Sequence, residues 1–231
     1  MNTFKAHRLR FITEVETTVE LNEHQGSAIR GALFHAMRGR FCTNREADEC
    51  ALCPLVATCP VATLLSTLKP GSGRGRDVPR PYTVQPPLPG QGGHPVEDDR
   101  GRLLFHYRPQ ERLVFGLTLY AQALQLFPYV VLTVKSFEHG GLGRRMERER
   151  ARWRRGTLQV RKIWAENPLT GDRQPVLAAG EDTVQVPDVP ITHQQIVDRA
   201  RELERAVRGR GLTLSFLTPT RLVESGQLVK P

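Results

Sequence analysis

An α+β fold is what this 231-residue sequence predicts: a ferredoxin-like βαββαβ unit interrupted by a cysteine-rich insertion. Three observations predict it. Apolar periodicity up to residue 164 runs strand, helix, strand, strand, helix, strand. A stretch rich in Cys, Gly and Pro breaks that order straight after the first helix. Hydrophobic residues at 39% and charged residues at 25% support a real core beneath a solvated surface.

The elements follow in order. Leu9, Phe11, Val15 and Val19, with Thr and Glu between them, predict a strand over 7–21. Ile29, Leu33, Ala36 and Met37 recur at three-four spacing and predict a helix over 25–41, with Arg30, Arg38 and Arg40 off its apolar face. A short helix over 61–68 follows the cysteines, then a Gly/Arg-rich loop over 70–80. Residues 82–88 are extended but too proline-rich for a central strand. A polar loop over 89–101 leads to strands 102–107 and 113–120, read as a hairpin turning at Arg108-Pro109-Gln110-Glu111. The helix over 122–137 contains Pro128, so it kinks there or starts near it. Next come a strand over 157–164, a turn over 167–172 and a return over 174–177. An amphipathic helix over 192–208 begins at Thr192 or His193, and a strand over 212–217 runs into Thr218-Pro219-Thr220-Arg221.

The net charge is +9 and the pI about 9.9, with the excess carried largely by arginine. Guanidinium suits planar contact with phosphate, so a polyanion is the natural partner; the alternative is a basic protein without one. The first ten residues have no apolar run, which argues against a signal peptide. The longest apolar stretch, 127–134, is too short to span a membrane, and a cytoplasmic location is expected.

All four cysteines fall in one cluster, Cys42, Cys50, Cys53 and Cys59. A disulfide scaffold would spread them along the chain. Cys50-x-x-Cys53 is a chelating knuckle, and four thiolates can close a tetrahedral structural zinc site. Cys59-Pro60 also suits an iron–sulfur cluster, and four reduced thiols are the third possibility. With all four positions filled by protein, a metal here pins the insertion and does no chemistry.

Gly140, Gly141 and Gly143 open a basic element that can bring backbone N–H groups to a phosphate. Arg144, Arg145, Arg148, Arg150, Arg152, Arg154 and Arg155 supply charge beside it, and Trp153 a stacking plane. The plainer reading is a helix-capping turn followed by a solvated face paired with Glu147 and Glu149. No Ser-His-Asp order, carboxylate pair or nucleotide-binding loop stands out; 71–76 lacks the lysine of a P-loop.

Several segments together resemble a known family. They are Ile29-Arg30-Gly31-Ala32-Leu33, Cys59-Pro60, the run from Glu111 to Tyr120, Phe127-Pro128-Tyr129, Gly140-Gly141-Leu142-Gly143-Arg144, and Phe216-Leu217-Thr218-Pro219-Thr220-Arg221-Leu222. In order and spacing they are similar to the CRISPR repeat-RNA processing endoribonucleases of the RAMP superfamily. The resemblance implies two tandem ferredoxin-like domains: the first over 1–165 with its insertion at 42–101, a connecting hairpin and helix over 166–210, and the start of a second over 211–231. That second domain is cut short relative to the family. The resemblance also implies binding of CRISPR repeat RNA and metal-independent cleavage by an upstream 2′-hydroxyl, leaving a 2′,3′-cyclic phosphate. The alternative is a non-catalytic RNA-binding subunit among CRISPR effector proteins.

Such cleavage needs a base, a charge on the phosphorane and an acid. His35, beside Ala28, Gly31 and Ala32 on the first helix, is the candidate base, since the family's histidine lies on or near this helix; His24 is the next. Arg38 and Arg40 are candidates for phosphorane stabilisation.

Overall fold

The computed structural model describes residues 4–47, 49–66, 80–148, 152–181, 183–218, 223–224 and 227–228. Its centre is an antiparallel sheet built on β1 (Lys5–Val15). On one side β1 pairs with β9 (Leu158–Glu166), with a register shift after Ile12. On the other it pairs with β6 (Arg112–Tyr120), Phe11 opposite Phe115. β3 (Tyr82–Gln85) extends the sheet beyond β6, and β10 (Arg173–Leu177) extends it beyond β9. The order β9-β1-β6-β3 is the ferredoxin-like arrangement of an α+β fold. β11 (Ile191–Thr192) adds a short pairing at the start of β1.

Alternation along β1 explains the layering. Leu9, Phe11, Thr13 and Val15 are buried, while Arg8, Arg10, Ile12 and Glu14 point to the other face. The buried face packs against α1 (Gln25–Phe41), whose Ile29, Ala32, Leu33 and Met37 face inward, and α3 (Phe127–Lys135). Phe11 stacks on Phe115 with ring centroids 5.0 Å apart. The Phe41 ring meets Tyr129 edge-on and ties the end of α1 to α3. α2 (Pro60–Leu64) adds Val61 and Leu64 to the same core.

Three expectations change. The strand over 7–21 breaks: bends at Glu16 and Thr17 end β1, and β2 (Val19–Asn22) leaves the main sheet. The expected 102–107/113–120 hairpin does not form. β5 (Leu103–Tyr107) pairs with β2, Val19 opposite Tyr107, and with β4 (His94–Glu97), which lies in the expected loop. The reason is visible at the turn. Gln110 N–H donates to the Val15 carbonyl and Val15 N–H to that of Glu111, so the turn is hooked to the end of β1 and not closed on itself. β6 then takes β3, which is an edge strand as its prolines require. Finally, 211–217 forms no strand. No neighbouring strand pairs with it, and Leu212, Leu214, Phe216 and Leu217 are exposed.

Other elements stand where the sequence put them. α1 has the expected bounds. A 3-10 turn (Ala121–Leu126) precedes α3, which starts at Phe127 with Pro128 in its first turn. α4 (Phe137–Gly140) follows it. α5 (His193–Val207) is capped by a reciprocal box between Thr192 and Gln195. The arginine-dense run is a hairpin of β7 (Leu142–Arg148) and β8 (Arg152–Gly156). A small ladder joins β12 (Val223–Glu224) to β13 (Gln227–Leu228). The glycine/arginine-rich residues 70–79 and Pro219 to Leu222 lie outside the described residues.

Candidate nucleic-acid interface

The β7–β8 hairpin sits against β2 because two residues lack a side chain. A Cβ on Gly143, whose φ is +85°, would lie 2.2 Å from the Glu20 carbonyl oxygen; one on Gly156 would lie 2.1 Å from that of Thr18. Backbones approach here more closely than any other residue permits. Gly141 caps α4, its N–H donating to the Phe137 carbonyl at 3.1 Å. Gly141 and Gly143 thus have packing reasons of their own; beside Gly140 there is open space.

Docking the hairpin makes two cavities. The first, 210 Å³, lies between α1 and the hairpin. Ala28, Gly31, Ala32 and His35 line it from the helix, Glu20 to Asn22 from β2, and Gly143, Arg144 and Arg155 from the hairpin. The small residues of α1 open it, since nothing stands within 4 Å of where a Gly31 Cβ would be. His35 is exposed, its ring edge-on to Phe34 at 5.6 Å. The second cavity, 420 Å³, is lined by His139, Gly140, Arg145, Trp153, Arg154, Arg155 and Thr157. Arg155 borders both.

Charge is not uniform across this surface. The Glu20 carboxylate, buried between the sheet and the hairpin, accepts from Arg144 Nη1 at 2.8 Å and pairs with His106 Nε2 at 2.7 Å. Arg144 also stands 3.8 Å from Asp98. The Arg102 guanidinium, donating to Asp98 at 2.8 Å, holds that carboxyl well below the usual carboxylate range. Arg144 is therefore neutralised by the protein. Arg145, Arg154 and Arg155 have no carboxylate partner among the described residues, and Trp153 is 63% exposed beside them. Free guanidinium groups around an exposed indole suit a phosphate backbone with unstacked bases.

The structure thus brings together His35, Gly143 and Arg144, and beside them Gly140, Arg145 and Trp153. It separates His24, which caps α1 and lines a different cavity. Arg38 and Arg40 lie in the last turn of α1, where cations oppose the helix dipole; Arg40 reaches Ser136 at 3.3 Å and stacks over Phe41. The Arg148 side chain lies outside the described residues, as do those of Glu147 and Arg152. Sequence reasoning missed Glu20, Asp98 and His106. A lone Glu between Val19 and Leu21 was the signal of a carboxylate held for a cation.

The four cysteines are half-buried, and none is in a disulfide. The Cys53 N–H donates to the Cys50 carbonyl at 3.3 Å, closing the knuckle turn. Asn44 lies between Cys42 and Cys53, its carbonyl 3.4 Å from one sulfur and its Nδ2 3.5 Å from the other. Among the described residues no three His, Cys, Asp or Glu side chains stand at ligand spacing. Among the described residues no helix is long and apolar enough to cross a membrane.

The family model described as AF_1859_N, N-terminal domain, matches residues 4–189. No curated protein matches the sequence. Among solved structures the chain is similar to the Csm3–Csm4 subcomplex of the type III-A CRISPR-Cas interference complex, with a TM-score of 0.45 and 12% identity over 78% of this chain and 92% of that one. It is also similar to Csc2 of Thermofilum pendens, with a TM-score of 0.36 and 9% identity over 88% of this chain and 77% of that one.

Proposed function

The chain belongs to the AF_1859_N family, matched through its N-terminal domain, and on that footing we propose that it binds CRISPR repeat RNA through the β7–β8 hairpin. The carrying observation is the trio Arg145, Arg154 and Arg155, unpaired among the described residues and grouped with His139 and the exposed Trp153 around one cavity. Guanidinium groups hold the backbone, and the indole stacks a base. The CRISPR assignment is supported by the motifs quoted above, which run from Ile29 to Leu222.

The finer reading is cleavage in the adjoining cavity. His35 takes the proton from the 2′-hydroxyl, the oxygen attacks the neighbouring phosphate, and Arg155 faces the charge that develops. The 5′-oxygen leaves with a proton taken from solvent, giving a 2′,3′-cyclic phosphate. Its support is that His35 and Arg155 line one small cavity, and that Arg155 also borders the cavity of the arginine trio. One observation favours the non-catalytic alternative: Arg144, the other cation at that cavity, is already paired with Glu20. The four cysteines are proposed to hold a structural zinc or an iron–sulfur cluster when loaded, once Cys42 and Cys53 turn from Asn44.

The test is a gel of end-labelled repeat RNA with EDTA present. Cleavage to a cyclic-phosphate product supports the enzyme. A shifted band without cleavage supports the RNA-binding subunit, and neither outcome in low salt removes the RNA reading.

A further inference from the structure

We infer that Arg144 is a further RNA contact, released to the strand when His106 takes up a proton. This rests on the RNA-binding reading above. Arg144 lines the 210 Å³ cavity with Arg155, and its pairing with Glu20 withholds its charge from that cavity. The surroundings of Glu20 make the pairing conditional.

Three strands build the device. Glu20 on β2 stands opposite His106 on β5, and His106 stands opposite His94 on β4. Side chains directly opposite on neighbouring antiparallel strands share a face. Glu20 is only 9% exposed, and its carboxylate gives one oxygen to each of two neighbours. Oε1 lies 2.8 Å from Arg144 Nη1, and Oε2 lies 2.7 Å from His106 Nε2. An ionised carboxylate only accepts, so Nε2 carries the proton of that bond in both charge states of the ring. The hydrogen bond survives the titration, and the charge is what changes.

With a neutral ring, Glu20 and Arg144 cancel, and the guanidinium has no charge to spare for a phosphate. With a charged ring, one carboxylate faces two cations, which repel each other and divide its attraction. Arg144 is the one that can leave. Its side chain is 42% exposed on the hairpin, whereas His106 is held in the middle strand of its sheet, between Glu20 and His94. A phosphate entering the cavity is the anion that takes up the surplus charge.

The groups around the trio do not absorb that charge. Asp98 lies 3.8 Å from Arg144 but is occupied: Oδ1 accepts the Arg100 and Arg102 N–H groups at 3.0 Å, and Oδ2 accepts from the Arg102 guanidinium at 2.8 Å. His94 has a carboxylate of its own, Glu111 at 2.6 Å, which also accepts the Arg108 N–H at 2.8 Å. From the elements packed on β2, α1 presents His35 and β8 presents Arg155, and neither is an anion. Histidine changes charge between about pH 5 and 8, so RNA affinity rises as pH falls through that range. Linkage is reciprocal, so bound RNA holds the proton on His106 more tightly.

The experiment measures the affinity of the full chain for labelled repeat RNA by anisotropy, across a salt series at about pH 8 and about pH 5.5. Wild type is compared with His106→Gln and Arg144→Gln. Glutamine keeps a donor for Glu20 but takes no charge, so His106→Gln records what the other histidines add on acidification. Wild type should exceed that background by one phosphate contact. Its gain in affinity should be about 10-fold larger, and its log–log salt slope should steepen by about 0.7 more. Arg144→Gln should show no such excess. In wild type the NMR titration of the His106 ring, identified by its loss in His106→Gln, should move to higher pH when RNA is bound; this readout stands even if Arg144→Gln fails to fold. The inference is overturned if wild type shows no excess, if the excess persists in Arg144→Gln, or if RNA leaves the His106 titration unmoved. RNA bound with equal slopes at both pH values sinks the switch alone. No RNA bound at either pH sinks the RNA-binding reading, and the inference with it.

Discussion

His35 earns its test from where it stands: exposed on α1, beside residues small enough to leave a cavity, with Arg155 across from it. General acid–base catalysis typically contributes about 10²–10⁴-fold, so His35→Ala should lower single-turnover cleavage of repeat RNA by that range with little change in affinity. A 2′-deoxy residue at the cut should abolish cleavage by wild type. A fully active His35→Ala would move the base elsewhere. His7 yields a different prediction. Its Nδ1 is buried without a partner, and burial lowers its titration, opposed by the Asp188 carboxylate and reinforced by Lys5. Between the lowered value and the ordinary one, the unfolded chain binds a proton that the folded chain refuses. Stability is therefore full above the ordinary value and falls as pH drops through that window. Urea midpoints at about pH 7.5 and about pH 5.5 should differ more for wild type than for His7→Gln. At this scale half of the site was legible. The stripe of Ala28, Gly31, Ala32 and His35 is local spacing on one helix, which a sequence displays. The pairing of Glu20 with Arg144 joins two residues far apart in the chain, and no local pattern reports it.

The β7–β8 hairpin is the element whose charges divide into two kinds, and mutagenesis should separate them. Arg145, Arg154 and Arg155, changed together to Ala, should weaken RNA binding across sequences. If each contacts one phosphate, the log–log salt dependence should become shallower by about 2. Arg144→Ala should instead lower the melting temperature, because it leaves Glu20 buried beside only His106. An unchanged salt slope in the triple variant would make the hairpin an ordinary solvated surface. The insertion makes the second prediction at this scale. Purified protein should carry about one zinc per chain, or be brown with an iron–sulfur cluster, and Cys50→Ser should lose the metal and stability together. Colourless protein with no metal by elemental analysis leaves four reduced thiols. Helices α1, α3 and α5 were legible because caps, prolines and three-four spacing are written locally. The second sheet was not. The turn at 108–111 carries the same residues whether it closes a hairpin or, as here, hooks onto Val15, and only β2 leaving the main sheet decides which. The hairpin itself was hidden because a run of arginines has no apolar alternation to betray a strand.

For the molecule as a whole, the ferredoxin-like order came from the sequence of periodicities, although the strand beside β6 is β3 and not β5. A chain with a net charge of +9 should bind repeat RNA with an affinity that falls steeply as salt rises, at a log–log slope of about −0.7 for each phosphate neutralised. Anisotropy titrations across a salt series measure it, and a flat response removes the RNA reading. The position of β1 has a further consequence, for synthesis. This eleven-residue strand is made before its partners, so Phe11 must wait for Phe115 on one side and Ile163 on the other. At about 5–20 residues per second, the ribosome delivers the first partner after roughly 5–20 s and the second after roughly 8–30 s. Throughout that interval a long strand with one apolar face stands with both edges bare, the condition that invites chaperone capture.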